Sequence, residues 1–359
     1  MIHIIIGTKA QLIKMAPVLS KFKTKGIEFN YISTGQHKHT INDILSNFKI
    51  KKPDYILYDG EDITSVFQMF VWGVKCLLKT LKYKKNIFKN DKNGIVIIHG
   101  DTFSTLLGAI MGKMSGLKIA HVESGLRSFN IFHPFPEEII RLLSLSLADY
   151  MFCPGHWALS NVVKYKTIKI DSQTNTLYDS FQYSLPAIEK ISLALPNKPY
   201  GVVTLHRFEN IHNFKVLNRV VAIIERISQK YYLLFILHKP TELKLQKFNL
   251  LQKLKKNSNI ECRNRYDYFK FIKLIINATF VISDGGSNQE ECYFLGKPIL
   301  LLRKATERKE GLSENCVLSK YDQKTIDQFI DHIELYKKEL LNLSFSPSDI
   351  IVKRCLKFQ

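Results

Sequence analysis

At 359 residues the chain is too long for one ordinary core when domains run about 100–200 residues, which predicts two. Its 45% hydrophobic and 23% charged content, with 17 Gly and 11 Pro, excludes disordered and collagen-like classes. Basic residues number 52 against 32 acidic, a net charge of +20, which leaves nucleic acid, a membrane surface or an anionic small molecule as partner classes.

From the N terminus, short β-branched runs recur at Ile2–Ile6, Phe29–Ile32, Ile95–Ile98, Lys118–Val122, Val202–Leu205, Leu233–Leu237 and Phe280–Ile282. Each ends in a polar or glycine-bearing turn and is followed by helical spacing. This alternation predicts an α/β fold with parallel sheets made of βαβ units. Such sheets bind ligands at the carboxyl ends of their strands. Those ends read Gly7-Thr8-Lys9, Gly35-Gln36-His37, His99-Gly100-Asp101-Thr102, Glu123-Ser124-Gly125, His206-Arg207, His238 and Ser283-Asp284-Gly285-Gly286-Ser287. Between Lys169 and Pro199, a polar turn (Asp171–Thr176), an amphipathic helix (Ser180–Leu195) and Pro196-Asn197-Lys198-Pro199 predict a boundary. Two doubly wound, Rossmann-like domains facing a cleft follow, 1–170 and 171–344.

The charge divides into 42 Lys and only 10 Arg, with no Arg before Arg127. Lysine cannot replace the rigid bidentate fork of arginine, so the arginines locate anion recognition. Arg127, Arg141, Arg207, Arg303 and Arg308 fall in or beside the polar strand ends, as expected for a substrate carrying phosphates. The lysines form a diffuse background, densest in Lys79–Lys92. The stretch Phe67–Lys92, with Phe70, Trp72 and Tyr83 among Lys75, Lys79, Lys82, Lys84 and Lys85, suits peripheral contact with an anionic membrane. Six cysteines without a C-x-x-C pair point to a reducing, cytoplasmic compartment. No apolar run approaches the roughly 18–20 residues that span a bilayer.

Two motifs carry chemistry. In Asp284-Gly285-Gly286-Ser287-Asn288-Gln289-Glu290-Glu291, Ser287 and Glu290 read as a capping box, and the glycines let a diphosphate approach the free N–H groups of a helix start. The bland alternative is an ordinary tight βα turn. The second motif is a set of carboxylates near strand ends: Asp101, Glu123 and Glu137, the last in Phe135-Pro136-Glu137-Glu138-Ile139-Ile140-Arg141. Pro136 is expected at the first helical position, with Glu137 and Glu138 in the positive first turn. Glu138 reads as a surface residue in a Glu–Arg pair. Glu137 reads as catalytic, because proton transfer to and from carbon needs several carboxyl groups with pKa values pushed apart. His206, beside Arg207, joins that set. His99, His121 and His238 read as satisfied hydrogen-bonding residues. Arg303-Lys304-Ala305-Thr306-Glu307-Arg308-Lys309-Glu310 also fits a solvated loop. The absence of G-x-G-x-x-G and of a P-loop disfavours a dinucleotide cofactor and NTPase chemistry, and no H-E-x-x-H or D-x-D pair calls for a metal.

Together these blocks resemble the hydrolysing, non-NAD UDP-N-acetylglucosamine 2-epimerases. The matching stretches are Ile13–Val18, Thr34–His37, His99–Thr102, His121–Arg127, Pro134–Arg141, Val203–Asn210, Asp284–Glu291, and Gly296-Lys297-Pro298 through Thr306-Glu307-Arg308, in family order over nearly the whole chain. The resemblance implies the GT-B arrangement of two Rossmann-like domains with UDP in the cleft and a C-terminal segment, 345–359, packing back on the first domain. It implies inversion at C2 of UDP-GlcNAc by anti elimination and re-addition of UDP, without cofactor or metal, in cell-surface polysaccharide precursor synthesis. Asp101, Glu123 and Glu137 match the family's catalytic acids, His206 and Arg141 its diphosphate residues, and Glu291 its ribose contact. Lys9, Lys14, His238, Gly285, Gly286, Ser287, Arg303 and Arg308 complete the expected substrate-binding set. Family members are often dimers, so the resemblance raises a homodimer, although no residue of this sequence argues for one.

The chain departs from the family pattern in its first loop. Gly-Thr-Arg-Pro-Glu becomes Gly7-Thr8-Lys9-Ala10-Gln11, a fork replaced by a point charge and a carboxylate by an amide. Rival readings are a GT-B glycosyltransferase with a UDP-sugar donor, and the hydrolytic branch releasing free N-acetylmannosamine. A nucleic-acid module is disfavoured because the lysines are dispersed and no such signature appears.

Overall fold

The computed structural model describes residues 1–37, 41–63, 66–131 and 136–358; Pro134 and Phe135 of the matching stretch above lie outside them. The chain divides into two compact units, Met1–Tyr183 with Ser344–Gln359, and Ser184–Leu343.

In the first unit, β1 (Ile2–Ile6), β2 (Phe29–Ser33), β3 (Tyr55–Ile56), β4 (Ile95–His99), β5 (Lys118–Val122), β6 (Tyr150–Cys153) and β7 (Ile168–Asp171) form one parallel sheet in the order β3-β2-β1-β4-β5-β6-β7. The helices between them are α1 (Lys9–Thr24), α2 (Ile41–Asn47), α3 (Val66–Ile87), α4 (Phe103–Met114), α5 (Glu137–Leu147) and α6 (His156–Ser160). Every residue of β1, β2 and β4 is buried, the pattern of a sheet covered on both faces. Ile5, Ile32, Val96, Ile98 and Ile119 of its strands pack with Trp72 and Cys76 of α3 and Leu107 and Met111 of α4. Full burial of each such aliphatic or aromatic side chain contributes about 1.5–3 kcal/mol.

The second unit repeats the plan with β8 (Tyr200–Thr204), β9 (Tyr232–Leu237), β10 (Ile260–Asn264), β11 (Phe280–Ser283), β12 (Ile299–Leu301) and β13 (Cys316–Leu318), parallel in the order β10-β9-β8-β11-β12-β13. Both sheets reverse their winding beside a central pair, β1 and β4 in the first, β8 and β11 in the second. That reversal opens a crevice at the strands' carboxyl ends.

The division falls at Tyr183/Ser184 rather than at 170/171, inside the helix α7 (Leu177–Glu189). The reason is local: Ser180 Oγ donates to the Ile13 carbonyl at 2.6 Å and Tyr178 and Phe181 are buried, so the start of α7 completes the first unit. The helix also ends at Glu189, short of the expected Leu195. Returning to the first unit, the segment Ser344–Gln359 carries the helix Pro347–Cys355. The Ser348 amide and Ser346 hydroxyl donate to Asp179 at 2.7 and 2.9 Å, Asp349 pairs with Lys21 of α1, and Phe358 stacks on Tyr150.

Candidate active site

In the first unit, ionisable side chains gather at the carboxyl ends of β4 and β5 and on the first turn of α5. Glu123 follows β5 with φ +65°, a left-handed conformation that costs a residue bearing a side chain about 1–3 kcal/mol and concentrates at functional positions. Its buried Oε2 receives Lys14 Nζ at 2.6 Å and the amide of Asn175, and His99 Nε2 lies 3.4 Å away without a hydrogen bond. Lys14 is only 4% exposed, so this cation answers a carboxylate of its own chain. His99 thus stands beside a candidate acid rather than in a bland structural role. His121 does keep that role: its Nε2 donates to the Gly100 carbonyl at 2.7 Å, and burial lowers its pKa to about 4, so it is neutral.

Asp101, half-buried after β4, receives Arg141 Nε at 2.9 Å and Nη2 at 2.5 Å. Arg141 Nη1 donates to Glu138 at 2.9 Å, and Glu138 also accepts from Arg127 Nε and from the Ser128 amide at 3.1 Å. Glu138 is therefore not the surface residue its spacing predicts: its exposure is 0%. Burial pushes its carboxyl pKa up, but Arg127, the Ser128 amide and Arg141 together outweigh that and hold it below the usual range. Pro136 is the N-cap of α5 rather than its first residue, so Glu137 and Glu138 open the helix. The more exposed Glu137 shares that positive first turn.

Gln11 explains the departure in the first loop. Its Oε1 accepts from the Gly7 and Thr8 amides, closing a capping box on α1, while Nε2 donates to the His99 carbonyl at 2.8 Å and to Thr105 Oγ1 at 3.0 Å. The same carbonyl accepts from Thr105 Oγ1 at 2.6 Å, and a carboxylate in place of the amide would set a buried negative charge against it without a proton to donate, which is unfavourable. The backbone amide of Lys9, half-buried beside it, donates to His37 Nδ1.

The second unit assembles its site at the ends of β8 and β11. Asp284 is fully buried and accepts from the His206 and Arg207 amides and from Asn210 Nδ2. It is the clamp that shapes the turn carrying His206. Burial raises its pKa against these donors. The His206 ring stacks on His238 with centroids 5.0 Å apart. The His206 side chain is 38% exposed, so its burial is partial; that burial and then Arg207, Arg265 and Arg303 act to lower its pKa.

The expected capping box at Ser287 does not form. Gly285 is the N-cap of the helix Gly286–Leu295 and no side chain caps it. Ser283 Oγ takes the Gly285 amide, and Glu290 is drawn away to Arg308 Nη1 at 2.5 Å. Ser287 sits half-buried on the first turn. The glycines are needed for close approach: a Cβ on Gly285 would lie 2.8 Å from His206 Cε1, and one on Gly286 2.7 Å from Arg308 Nε. Glu291, buried, accepts from Asn288 Nδ2 at 2.9 Å. The stretch from Arg303 to Glu310 is not a solvated loop, since Arg303, Glu307 and Arg308 are 5–7% exposed. Glu307 joins Arg303 Nη2 at 3.2 Å to Arg207 Nη2 at 3.5 Å, while Arg303 Nη1 and Arg207 Nε, both buried, donate to no group among the described residues.

Glu138, Asn175 and Glu307 are the members of these clusters that sequence reasoning missed. Asn175 lies 52 positions from Glu123, and no local pattern links them. Among the described residues no group of three or more His, Cys, Asp or Glu has the geometry to hold a metal ion. No described helix is long and apolar enough to cross a membrane.

Comparison with known proteins matches residues 21–344 to the family described as UDP-N-acetylglucosamine 2-epimerase. The UDP-N-acetylglucosamine 2-epimerase of Methanococcus maripaludis is 36% identical, over 88% of this chain and 86% of that protein. The crystal structure of the Methanocaldococcus jannaschii enzyme in complex with UDP-GlcNAc and UDP superposes with TM-score 0.84 at 26% identity, over 100% of this chain and 99% of that one. The Neisseria meningitidis enzyme bound to UDP-GlcNAc gives 0.83 at 25% identity, over 99% of each chain. The doubly wound units are of the GT-B type that these structures share. On its sequence and fold, the chain belongs to the UDP-N-acetylglucosamine 2-epimerase family.

Proposed function

We propose that this protein interconverts UDP-GlcNAc and UDP-ManNAc. A carboxylate takes the C2 proton, the C1–O bond breaks with its electron pair leaving on UDP, and a 2-acetamidoglucal results. UDP then re-adds at C1 while C2 takes a proton on its opposite face. The observation that carries this reading is the pairing of two carboxylates at neighbouring strand ends, Asp101 and Glu123, each with a buried cation, Arg141 and Lys14. Such pairing fixes each carboxylate at its strand end, and a positioned acid or base is what proton transfer to and from one carbon requires. Asp101 or Glu123 removes the proton, and Glu137 returns it. Lys14 and Arg141 act on the substrate through the carboxylates they hold.

In the second unit, Arg303, Arg308, Gly285, Gly286, Ser287, His206 and His238 bind the diphosphate, and Glu291 the ribose. The buried donors of Arg303 and Arg207 support anion binding there. Proton NMR of the protein with UDP-GlcNAc in D2O tests the whole reading. Deuterium at C2 with UDP-ManNAc formed is the expected result. Free ManNAc plus UDP identifies the hydrolytic branch, and an untouched sugar identifies the transferase or another substrate.

We also propose that the outer face of α3 joins two copies of the chain. Phe67, Phe70, Val74, Leu78 and Leu81 recur at helical spacing and are 76, 66, 40, 60 and 59% exposed. The face continues over the apolar groove lined by Leu106 and Ile110 of α4 to the exposed Ile139 and Leu143 of α5. Contiguous apolar surface of this extent marks an interface, and at 100° per residue Lys75 and Lys82 fall on its rim. The expected result is a sedimenting dimer that Leu78→Glu converts to monomer. A monomeric wild type that pellets with anionic vesicles would assign the face to a membrane instead.

A further inference from the structure

Arg127, Glu138, Arg141 and Asp101 form one charge-balanced line of two guanidinium and two carboxylate groups. The two carboxylates differ in setting. Asp101's side chain is 27% exposed, whereas Glu138's is 0% exposed, with three donors on it. Glu138 also connects three separate pieces of backbone. It lies on the first turn of α5 beside Glu137, takes the Ser128 amide and Arg127 from the loop after β5, and through Arg141 reaches Asp101 in the loop after β4. Arg141 itself rises from α5 one turn along, so its guanidinium is gripped from the buried side by Glu138 and from the open side by Asp101.

We propose that Glu138 is a positioning residue for the reaction at C2: it fixes Arg141, and so Asp101, and it anchors the helix turn that presents Glu137. The inference rests on the epimerase reading above. Its physical basis is that a buried carboxylate using both oxygens between two arginines has one orientation, whereas the half-buried Asp101, which meets Arg141 through a single oxygen, leaves the guanidinium room to pivot. Misplacing a catalytic group by about 1 Å lowers the rate on the order of 10²-fold.

The test is Glu138→Gln beside Glu138→Asp in the full chain, measuring kcat and KM with UDP-GlcNAc, UDP affinity by calorimetry and the thermal midpoint. A glutamine turns an NH2 group toward one of the arginines, donor against donor. The expected result is a kcat lowered about 10²-fold with KM and UDP affinity within about threefold, and partial recovery of kcat in Glu138→Asp, which restores the charge. Unchanged kcat in folded Glu138→Gln, or a KM that rises as far as kcat falls, overturns the proposal. If Glu138→Gln does not fold, Arg127→Lys loosens the same carboxylate from its more exposed end and is expected to lower kcat about tenfold at constant KM; unchanged kcat there overturns the proposal equally. An inactive wild type refutes the epimerase reading itself, whereas an active wild type with indifferent variants refutes only the role of Glu138.

Discussion

Asp101→Asn is expected to lower both UDP-ManNAc formation and solvent deuterium entry at C2 by about 10²–10⁴-fold, the usual contribution of a positioned acid or base. UDP affinity should change little, because Asp101 is assigned to the C2 proton and not to the nucleotide. The amide preserves the shape of Asp101 and one acceptor for Arg141, so the fold is retained and the loss reports on proton transfer. The readout is NMR in D2O on variant and wild type together. If deuterium entry is undiminished, Asp101 does not take the C2 proton, and Glu123, at the end of the adjacent strand, becomes the base.

Lys14→Met is expected to destabilise the protein by about 3–5 kcal/mol, because it removes the cation from a buried ion pair and leaves the Glu123 carboxylate largely uncompensated. Asn175 and His99 remain beside Glu123, which places the effect toward the lower end. Urea denaturation measures it. The double variant Lys14→Met/Glu123→Gln should recover most of the lost stability, since neither charge of that pair then remains, yet stay inactive. A single variant within about 1 kcal/mol of wild type would show that Lys14 does not balance Glu123.

The sequence exposed the parts of this architecture that are apolar and locally patterned. The central strands β1, β2, β4, β5, β8, β9 and β11 were read because each is a β-branched run closed by a turn. The strands that escaped notice are β3, only two residues long; β7 and β10, whose IKID and IECRN mix polar residues as outer strands do; and β6, β12 and β13, at three or four residues too brief to show a period. At the site, residue types at strand ends were legible but their partners were not. Glu138 has a helix-surface spacing to Arg141, and its burial depends on Arg127, brought back by a loop. The Ser287-x-x-Glu290 pattern satisfies the rule for a helix start, and tertiary structure overrides it, because Arg308 claims Glu290 and Ser283 claims the Gly285 amide. Gln11 looked like a lost charge until its amide was seen to bind the His99 carbonyl.

The return of Ser344–Gln359 to the first unit has a consequence for biosynthesis. Domains generally fold in the order in which the ribosome releases them, but here the N-terminal unit lacks one of its helices until all of Ser184–Leu343 has been translated. Asp179 and Lys21 must wait for Ser346, Ser348 and Asp349. The second unit, whose segments are contiguous, is the one able to finish first, and a ribosome that stops before residue 344 leaves the half carrying Asp101, Glu123 and Glu137 unsealed.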